Sequence, residues 1–169
     1  MNKPTTKKIA LMGVLGALAL ALSFAESLLM PQVAFLPPGA KPGLSNIITT
    51  FAASSMGFGG AIYIVLLKAV FALVTRGATA FFMSLSGGLL SMAVILLLLK
   101  VKAVGFIGIG VASSCAHNLG QLAVSWVLTG TKAILNYAPF LLLFGVATGL
   151  VTGTVLKIVM PKLENIGKE

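Results

Sequence analysis

The sequence predicts an all-α integral membrane protein, a compact bundle of six transmembrane helices in a single domain with both termini in the cytoplasm. Hydrophobic residues make up 58% of the 169 residues. Charged residues make up 9%, whereas a soluble domain carries about 25%. The basic residues lie mainly at the ends of apolar segments, where they set the orientation of membrane helices. Lipid is therefore the expected solvent of this chain.

Six apolar segments follow one another along residues 1–169. A helix needs about 20 apolar residues to cross the hydrocarbon core, so the length allows six spans and short loops. The second and third segments are short, and a re-entrant hairpin of these two is the alternative. The first apolar run resembles a signal peptide, but the remainder would still be mostly transmembrane, which favours a spanning helix. The predicted helices cover residues 9–27, 43–56, 61–75, 80–99, 104–128 and 137–159.

Local sequence explains the breaks between these helices. Residues 31–44 contain four prolines, which a helix cannot cross without losing backbone hydrogen bonds. The glycine-rich stretch Gly57–Gly60 predicts a tight turn, and Gly77 ends the third helix. Pro161 is expected to stop the sixth helix.

The distribution of basic residues predicts the topology. With six helices, the two termini and the loop after the fourth helix share one side of the membrane, which the positive-inside rule assigns to the cytoplasm. Five helices would move the cluster around Lys100 to the outside. The cytoplasmic side would hold Lys3, Lys7, Lys8, Lys100, Lys102, Lys157, Lys162 and Lys168, and the outer side Lys41, Arg76 and Lys132.

The composition also argues against several functions. The net charge of +9 lacks the basic stripe with interleaved aromatic residues that nucleic-acid binding uses, so no nucleic-acid partner is expected. One cysteine, Cys115, and one histidine, His117, are too few for a metal cluster. The chain has no aspartate and no P-loop, so we expect no catalytic residues, no cofactor and no ATP hydrolysis by the chain itself.

Small residues recur every four positions in two helices. Such strips allow helices to approach closely, and close packing drives helix association in lipid. The strip in the sixth helix favours packing inside the bundle. For the first helix, packing and docking of a separate membrane protein remain open. The first helix carries Gly13, Ala17, Ala21 and Ala25, and the sixth carries Gly145, Gly149 and Gly153.

Two cations lie at depth in the third predicted helix. Lys68 lies near its middle and Arg76 is eight residues further on, hence on the same face. A charge near the bilayer centre costs about 2.5–3.5 kcal/mol on insertion scales, so Lys68 is expected to face the bundle interior. One alternative is a snorkelling lysine or one paired with a helix-end carbonyl. The other is a contact to an anionic group of a ligand.

A polar stripe runs along the fifth predicted helix. Steps of three and four residues place its members on one face. The stripe is either a set of interhelical hydrogen bonds or the lining of a polar cavity. It consists of Ser114, His117, Gln121 and Ser125, with Asn118 beside it.

Three further residues complete the candidate site. Glu26 lies at the outer end of the first helix, where it is either solvated at the interface, paired with Lys41 or Arg76, or part of the site. Residues 31–44 form the longest loop, stiff with proline, which could act as a lid. Asn46 opens the second helix just below this loop.

Three segments resemble the Gx transporter family, which is also labelled heptaprenyl diphosphate synthase component I. They are residues 36–47 (LPPGAKPGLSNI), 84–91 (SLSGGLLS) and 116–122 (AHNLGQL). The resemblance extends over roughly residues 9–158. Pro42 stands where the family suggests an apolar residue such as leucine, and Lys68 where it suggests arginine. The acidic clusters that hold magnesium and diphosphate in prenyl synthases are absent from the sequence.

The Gx transporter family in turn resembles the substrate-binding S components of energy-coupling factor (ECF) transporters. This resemblance implies a six-helix bundle with an outward-facing pocket, in the cell membrane of a prokaryote. It also implies that the strip Gly13, Ala17, Ala21 and Ala25 docks on a coupling membrane subunit, to which two ATPase subunits supply energy.

The expected function is capture of a small micronutrient or vitamin-like molecule from outside for ATP-driven uptake. Lys68 and Arg76 favour an anionic group on that molecule. The alternative is a membrane subunit that transports nothing and is attached to isoprenoid, quinone or electron-transfer machinery. The candidate lining residues are Glu26, Lys41, Asn46, Lys68, Arg76, His117, Asn118 and Gln121.

Overall fold

A computed structural model describes residues 6–29, 43–101 and 103–166. These residues form helices throughout, with short connections and no strand among them. A 3₁₀ helix, Lys132–Tyr137, fills the predicted loop before the last helix. The five α-helices are α1 (Thr6–Leu29), α2 (Asn46–Arg76), α3 (Ala78–Leu98), α4 (Phe106–Thr129) and α5 (Ala138–Ile166).

The helices have the character of membrane helices. Four stretches of the described chain are long and apolar enough to cross a bilayer, and they contain α1, α2, α3 and most of α5. Large apolar side chains such as Leu28, Val74 and Leu143 project outward, with 61, 80 and 70% of their surfaces exposed. An outer surface of this kind requires lipid, so the predicted class, an all-α membrane protein with several helices, is confirmed.

The predicted second and third helices both belong to α2, which folds back on itself at Gly57. Gly57 has φ 66° and ψ −152°, outside the helical region. Lys68 Nζ donates a hydrogen bond to Asn46 Oδ1 at 3.3 Å, although the residues are 22 positions apart. A straight helix would separate them by about 33 Å. The chain therefore reverses at Gly57 into a first arm, residues 46–56, and a second arm, residues 58–76.

The structure differs from the sequence-based prediction at Gly57–Gly60 and at Pro161. Of the predicted turn Gly57–Gly60, only Gly57 leaves the helical conformation, since one residue with positive φ suffices to reverse the chain. The prediction that Pro161 stops the last helix is wrong, because Pro161 lies inside α5. Proline removes one backbone donor and bends a helix, but membrane helices tolerate it where neighbouring groups compensate.

The helices pack in chain order, and the two termini share one end of the bundle. A small apolar cavity brings Leu11 and Val14 of α1 together with Leu156 and Met160 of α5. The beginning of α1 and the end of α5 therefore lie at the same end, called here the terminal end. The opposite end is called the site end.

The apolar core fills the terminal half of the bundle. Val65 of the second arm, Met92 and Ile95 of α3, and Ile109 of α4 form its centre. Ile95 is fully buried and Val65 is 1% exposed. The polar residues are consequently concentrated toward the site end, where the apolar cluster stops.

Candidate functional site

A small polar pocket lies at the site end, between α1, α2, α3 and α4. Its cavity volume is about 10 Å³, which is room for about one water-sized group. Each helix contributes side chains with oxygen or nitrogen atoms. The lining residues are Ser23, Glu26, Ser45, Lys68, Arg76, Ser84, His117 and Gln121.

The structure brings most of the predicted site residues together. Five of them line this pocket: Glu26, Lys68, Arg76, His117 and Gln121. Asn46 lies beside the pocket, hydrogen bonded to Lys68. Asn118 faces another helix, and Lys41 lies outside the described residues.

Glu26 links the end of α1 to the start of α2. Its Oε1 accepts a hydrogen bond from the Ser45 backbone N–H, and its Oε2 accepts one from Ser45 Oγ, both at 3.1 Å. Glu26 is 1% exposed, so the alternative of solvation at the membrane interface is wrong. The carboxylate also interacts electrostatically with Lys68 and Arg76. A buried carboxylate needs such donors to offset its desolvation.

Lys68 is buried rather than snorkelling. Its side chain is 3% exposed, and within the described residues its hydrogen-bond acceptor is the neutral amide oxygen of Asn46. An ammonium group has three donors, so one bond leaves donor capacity. The Asn46 Nδ2 atom is buried and has no hydrogen-bond partner among the described residues. The prediction that Lys68 faces the bundle interior is confirmed.

The polar stripe of α4 divides between two roles. His117 Nε2 and Gln121 Nε2 are 2.7 Å apart, and both residues line the pocket. Asn118 Nδ2 instead donates to the carbonyl oxygen of Leu141 in α5 at 2.7 Å. Ser125 Oγ contacts Met83 Sδ of α3 at 3.8 Å. The stripe thus contributes both interhelical bonds and lining.

Glycine positions His117 in the pocket. A Cβ added at Gly87 of α3 would lie 2.8 Å from the His117 carbonyl oxygen and 2.9 Å from Nδ1. A Cβ at Gly120 would lie 2.8 Å from the Gly87 Cα. Because these positions have no side chains, α3 and α4 approach closely. His117 therefore packs directly against Gly87 and lines the pocket.

Sequence reasoning missed three serines that line the pocket. Ser23 lies three positions before Glu26, on the same face of α1. Ser45 and Ser84 fall inside two of the family-like segments, residues 36–47 and 84–91. Helical spacing from Glu26 predicts the first, and the segments contain the other two, but serine in a membrane helix is common enough that neither signal singled them out.

The two faces of α1 differ. Leu15, Ala19, Ser23 and Glu26 are buried, and within the described residues α2 is the helix whose backbone α1 packs against. The predicted small-residue strip lies on the opposite face. Its members, Gly13, Ala17, Ala21 and Ala25, are all exposed. This strip, called here the α1 strip, is not buried against any helix in the part of the chain that the structure describes.

The glycines of α5 have the packing role predicted for them. A Cβ at Gly149 would lie 2.8 Å from the Gly110 carbonyl oxygen, and one at Gly145 would lie 3.1 Å from the Cys115 Cα. Gly153 meets the backbone of Ile107 in the same way. The helices α4 and α5 therefore touch backbone to backbone along this seam, as small residues permit in membranes.

The pocket combines charged and uncharged polar side chains. Lys68 and Arg76 against Glu26 leave one positive charge in excess, with serine hydroxyls, an imidazole and amides around it. Among the described residues no three or more His, Cys, Asp or Glu side chains come together as metal ligands would.

The comparison with protein families gives one match. The family model described as heptaprenyl diphosphate synthase component I matches residues 15–159, which include all the lining residues of the pocket. No curated protein and no solved structure matches the chain.

Proposed function

The chain belongs to the heptaprenyl diphosphate synthase component I family, also called the Gx transporter family, and from this premise we propose that it is the S component of an ECF-type importer. It captures a small micronutrient or vitamin-like molecule from outside the cell and delivers it through a coupling membrane subunit and two ATPase subunits. The chain performs no catalysis itself.

The observation that carries this proposal is the division of α1 into two functional faces. Ser23 and Glu26 line the polar pocket on one face. The α1 strip, around Ala17 and Ala21, is exposed on the other. A small-residue strip that no described helix of its own chain covers suits a second helix from another protein, since close packing drives helix association in lipid.

The proposed topology has six crossings, with both termini in the cytoplasm. The exposed lysines Lys7, Lys8, Lys100 and Lys157 belong to the terminal end, which fits the positive-inside rule. The second arm of α2 is about 28 Å long, whereas the first arm is about 16 Å. The first arm alone therefore covers about half of the hydrocarbon core, which is about 30 Å thick.

The family description favours one other function, a membrane subunit that works beside an isoprenoid-synthesising enzyme. A synthase activity in this chain itself lacks support from its composition, because the sequence contains three acidic residues and no aspartate. Prenyl transfer uses acidic clusters to hold magnesium and diphosphate. The alternative is therefore an accessory subunit, without transport and without ATP dependence.

Co-purification tests the proposal. The tagged chain is expressed with the host's coupling subunit and ATPases, and the wild type is compared with Ala17→Trp/Ala21→Trp. Ala147→Trp/Val151→Trp serves as the matched control, because these positions are exposed on α5 with the same spacing of four. We expect capture by the wild type and the control, and loss of capture in the α1 variant.

Two results would contradict the proposal. One is failure of the wild type to capture the module in a mild detergent in which a known S component succeeds. The other is equal capture by both tryptophan variants, which would show that the α1 strip plays no part in docking.

A further inference from the structure

We propose that Lys68, Asn46 and Arg76 form a subsite for a single oxyanion group, a carboxylate or a phosphate, of the captured molecule. This inference rests on the proposed function for the identity of the pocket as a capture site. It narrows the anionic group expected from Lys68 and Arg76 to one oxyanion. It also separates the residues that bind this group from the residue that positions them.

The first argument is an excess of buried hydrogen-bond donors. Lys68 is 3% exposed and uses one of its donors on Asn46 Oδ1. Asn46 is fully buried, and its Nδ2 has no partner among the described residues. A buried donor without an acceptor is destabilising, because it has given up its hydrogen bonds to water without replacing them. The Lys68 ammonium has donors left over, and the Asn46 amide beside it has an unused donor. Together they suit a ligand group with several acceptor atoms, such as an oxyanion.

The second argument is charge. Glu26 uses both oxygens to accept hydrogen bonds from Ser45, which orients the carboxylate toward the start of α2. The pocket lining contains Glu26 as its acid against the two cations Lys68 and Arg76. One positive charge is left in excess inside a bundle surrounded by lipid, where such a charge is costly. A monoanionic group would neutralise it.

The third argument is the arrangement of the two cations. Arg76 lies eight residues beyond Lys68 on the second arm, about 12 Å further toward the site end. Arg76 is partly exposed, whereas Lys68 is buried, and both line the same pocket. Arg76 therefore meets the anion at the rim and Lys68 holds it at the base. The volume of about 10 Å³ has room for one oxygen atom of the anionic group between these side chains.

Glu26 is consequently a positioning residue. Its bonds to Ser45 fix the segment that begins α2, and Asn46 is the next residue. The amide of Asn46 in turn accepts from Lys68. Through these contacts Glu26 sets the position of both donors of the subsite.

Thermal unfolding in a neutral detergent tests the subsite with defined probes. Sodium phosphate or sodium acetate replaces sodium chloride at constant ionic strength. A ligand that binds the folded state raises the unfolding temperature, and above its Kd the rise grows with the logarithm of the ligand concentration. The variants are Lys68→Met, Lys68→Arg and, as control, Lys132→Met, an exposed lysine near the site end. A third arm adds micelles that contain an anionic phospholipid.

We expect a rise in the unfolding temperature that increases with the concentration of phosphate or acetate in the wild type and Lys132→Met. The rise is lost in Lys68→Met and retained in Lys68→Arg, which also shows that the position tolerates replacement. No rise with any probe in the wild type, or an equal rise in Lys68→Met, would overturn the subsite.

The outcome separates this inference from the proposed function. A rise that occurs with the anionic phospholipid alone, and that depends on Lys68, supports the oxyanion subsite but identifies a lipid headgroup as its source. That result would count against capture of a soluble molecule. Loss of subunit capture, with the anion response intact, would overturn the transporter proposal and leave the subsite standing.

Discussion

Lys68 Nζ donates a hydrogen bond of 3.3 Å to Asn46 Oδ1, although the two residues are 22 positions apart in α2. The bond joins the two arms of α2 and places the buried cation beside the start of the first arm. It exists because Gly57 reverses the chain with φ 66°. The candidate site therefore depends on a turn at the opposite end of the bundle.

Gly57→Ala should destabilise the protein through backbone strain alone. A Cβ at Gly57 would meet no atom within 4 Å, so no clash contributes. The conformation of Gly57, φ 66° and ψ −152°, costs a residue with a Cβ about 1–3 kcal/mol. Gly59→Ala is the matched control, because it lies two positions away with equal space and no positive φ. We expect a lower unfolding temperature for Gly57→Ala and no decrease for Gly59→Ala; equal values would contradict the reversal at Gly57.

Ser45→Ala should weaken the link between α1 and α2. The substitution removes the Oγ donor to Glu26 Oε2 and leaves a buried carboxylate with one hydrogen bond fewer. We expect a loss of about 1–3 kcal/mol in the free energy of unfolding. Ser55→Ala is the control, because the Ser55 hydroxyl bonds the Phe51 carbonyl oxygen of its own arm on an exposed face. Denaturant titration in micelles measures both, and a similar small effect in the two would refute the link.

Gly149→Ala should disrupt the seam between α4 and α5. Its Cβ would clash with the Val111 Cα and lie 2.8 Å from the Gly110 carbonyl oxygen, which are backbone atoms that cannot rotate away. Overpacking of this kind costs about 1–3 kcal/mol. Gly13→Ala, where a Cβ meets nothing within 4 Å, should be neutral. Thermal unfolding distinguishes the two, and a stable Gly149→Ala variant would contradict the close approach.

The sequence could predict those site residues whose charge or polarity is unfavourable in lipid. Lys68, Glu26 and His117 stand out because each requires a polar environment that a lipid-facing surface cannot offer. Their spacing within a helix also predicted shared faces. The same reasoning could not identify Ser45 as the partner of Glu26, because that contact joins positions 19 apart across a chain reversal.

The positions at which helices turn and end show the same limit of sequence-based prediction. The glycine-rich stretch around Gly57 predicted the position of the turn, but not that one residue would make it inside an otherwise helical backbone. Pro161 predicted a helix end that the structure does not have. The sequence also does not show which small residues of α1 face the bundle. Ala17 and Ala19 are equally small, but Ala17 is exposed and Ala19 is buried.

The proposed orientation can be tested with single cysteines in a Cys115→Ser background. Lys132 is exposed near the site end, and Lys100 is exposed at the terminal end. If the termini are cytoplasmic, a membrane-impermeant maleimide should label Lys132→Cys in intact cells. It should label Lys100→Cys only after the cells are permeabilised. The reverse pattern would show that the bundle is inverted and that the pocket opens to the cytoplasm.

Gly43→Ala should impair the site more than it impairs the fold. Gly43 has φ 82°, and a Cβ there would lie 3.0 Å from Asn46 Nδ2 and 3.2 Å from His117 Cδ2. Gly77→Ala is the matched control, because Gly77 has φ 87° but no atom within 4 Å of a Cβ. Both variants place a residue with a Cβ at a positive φ, which costs about 1–3 kcal/mol.

Only Gly43→Ala also crowds the amide that we assign to the oxyanion subsite. We therefore expect similar falls in unfolding temperature without added anion, but a smaller rise with phosphate or acetate in Gly43→Ala than in Gly77→Ala. The rise with anion in each variant is measured relative to the same variant without anion. The difference between the two rises therefore reports on Asn46 and His117. An equal anion response in the two variants would remove Asn46 from the subsite and leave Lys68 and Arg76 as its donors.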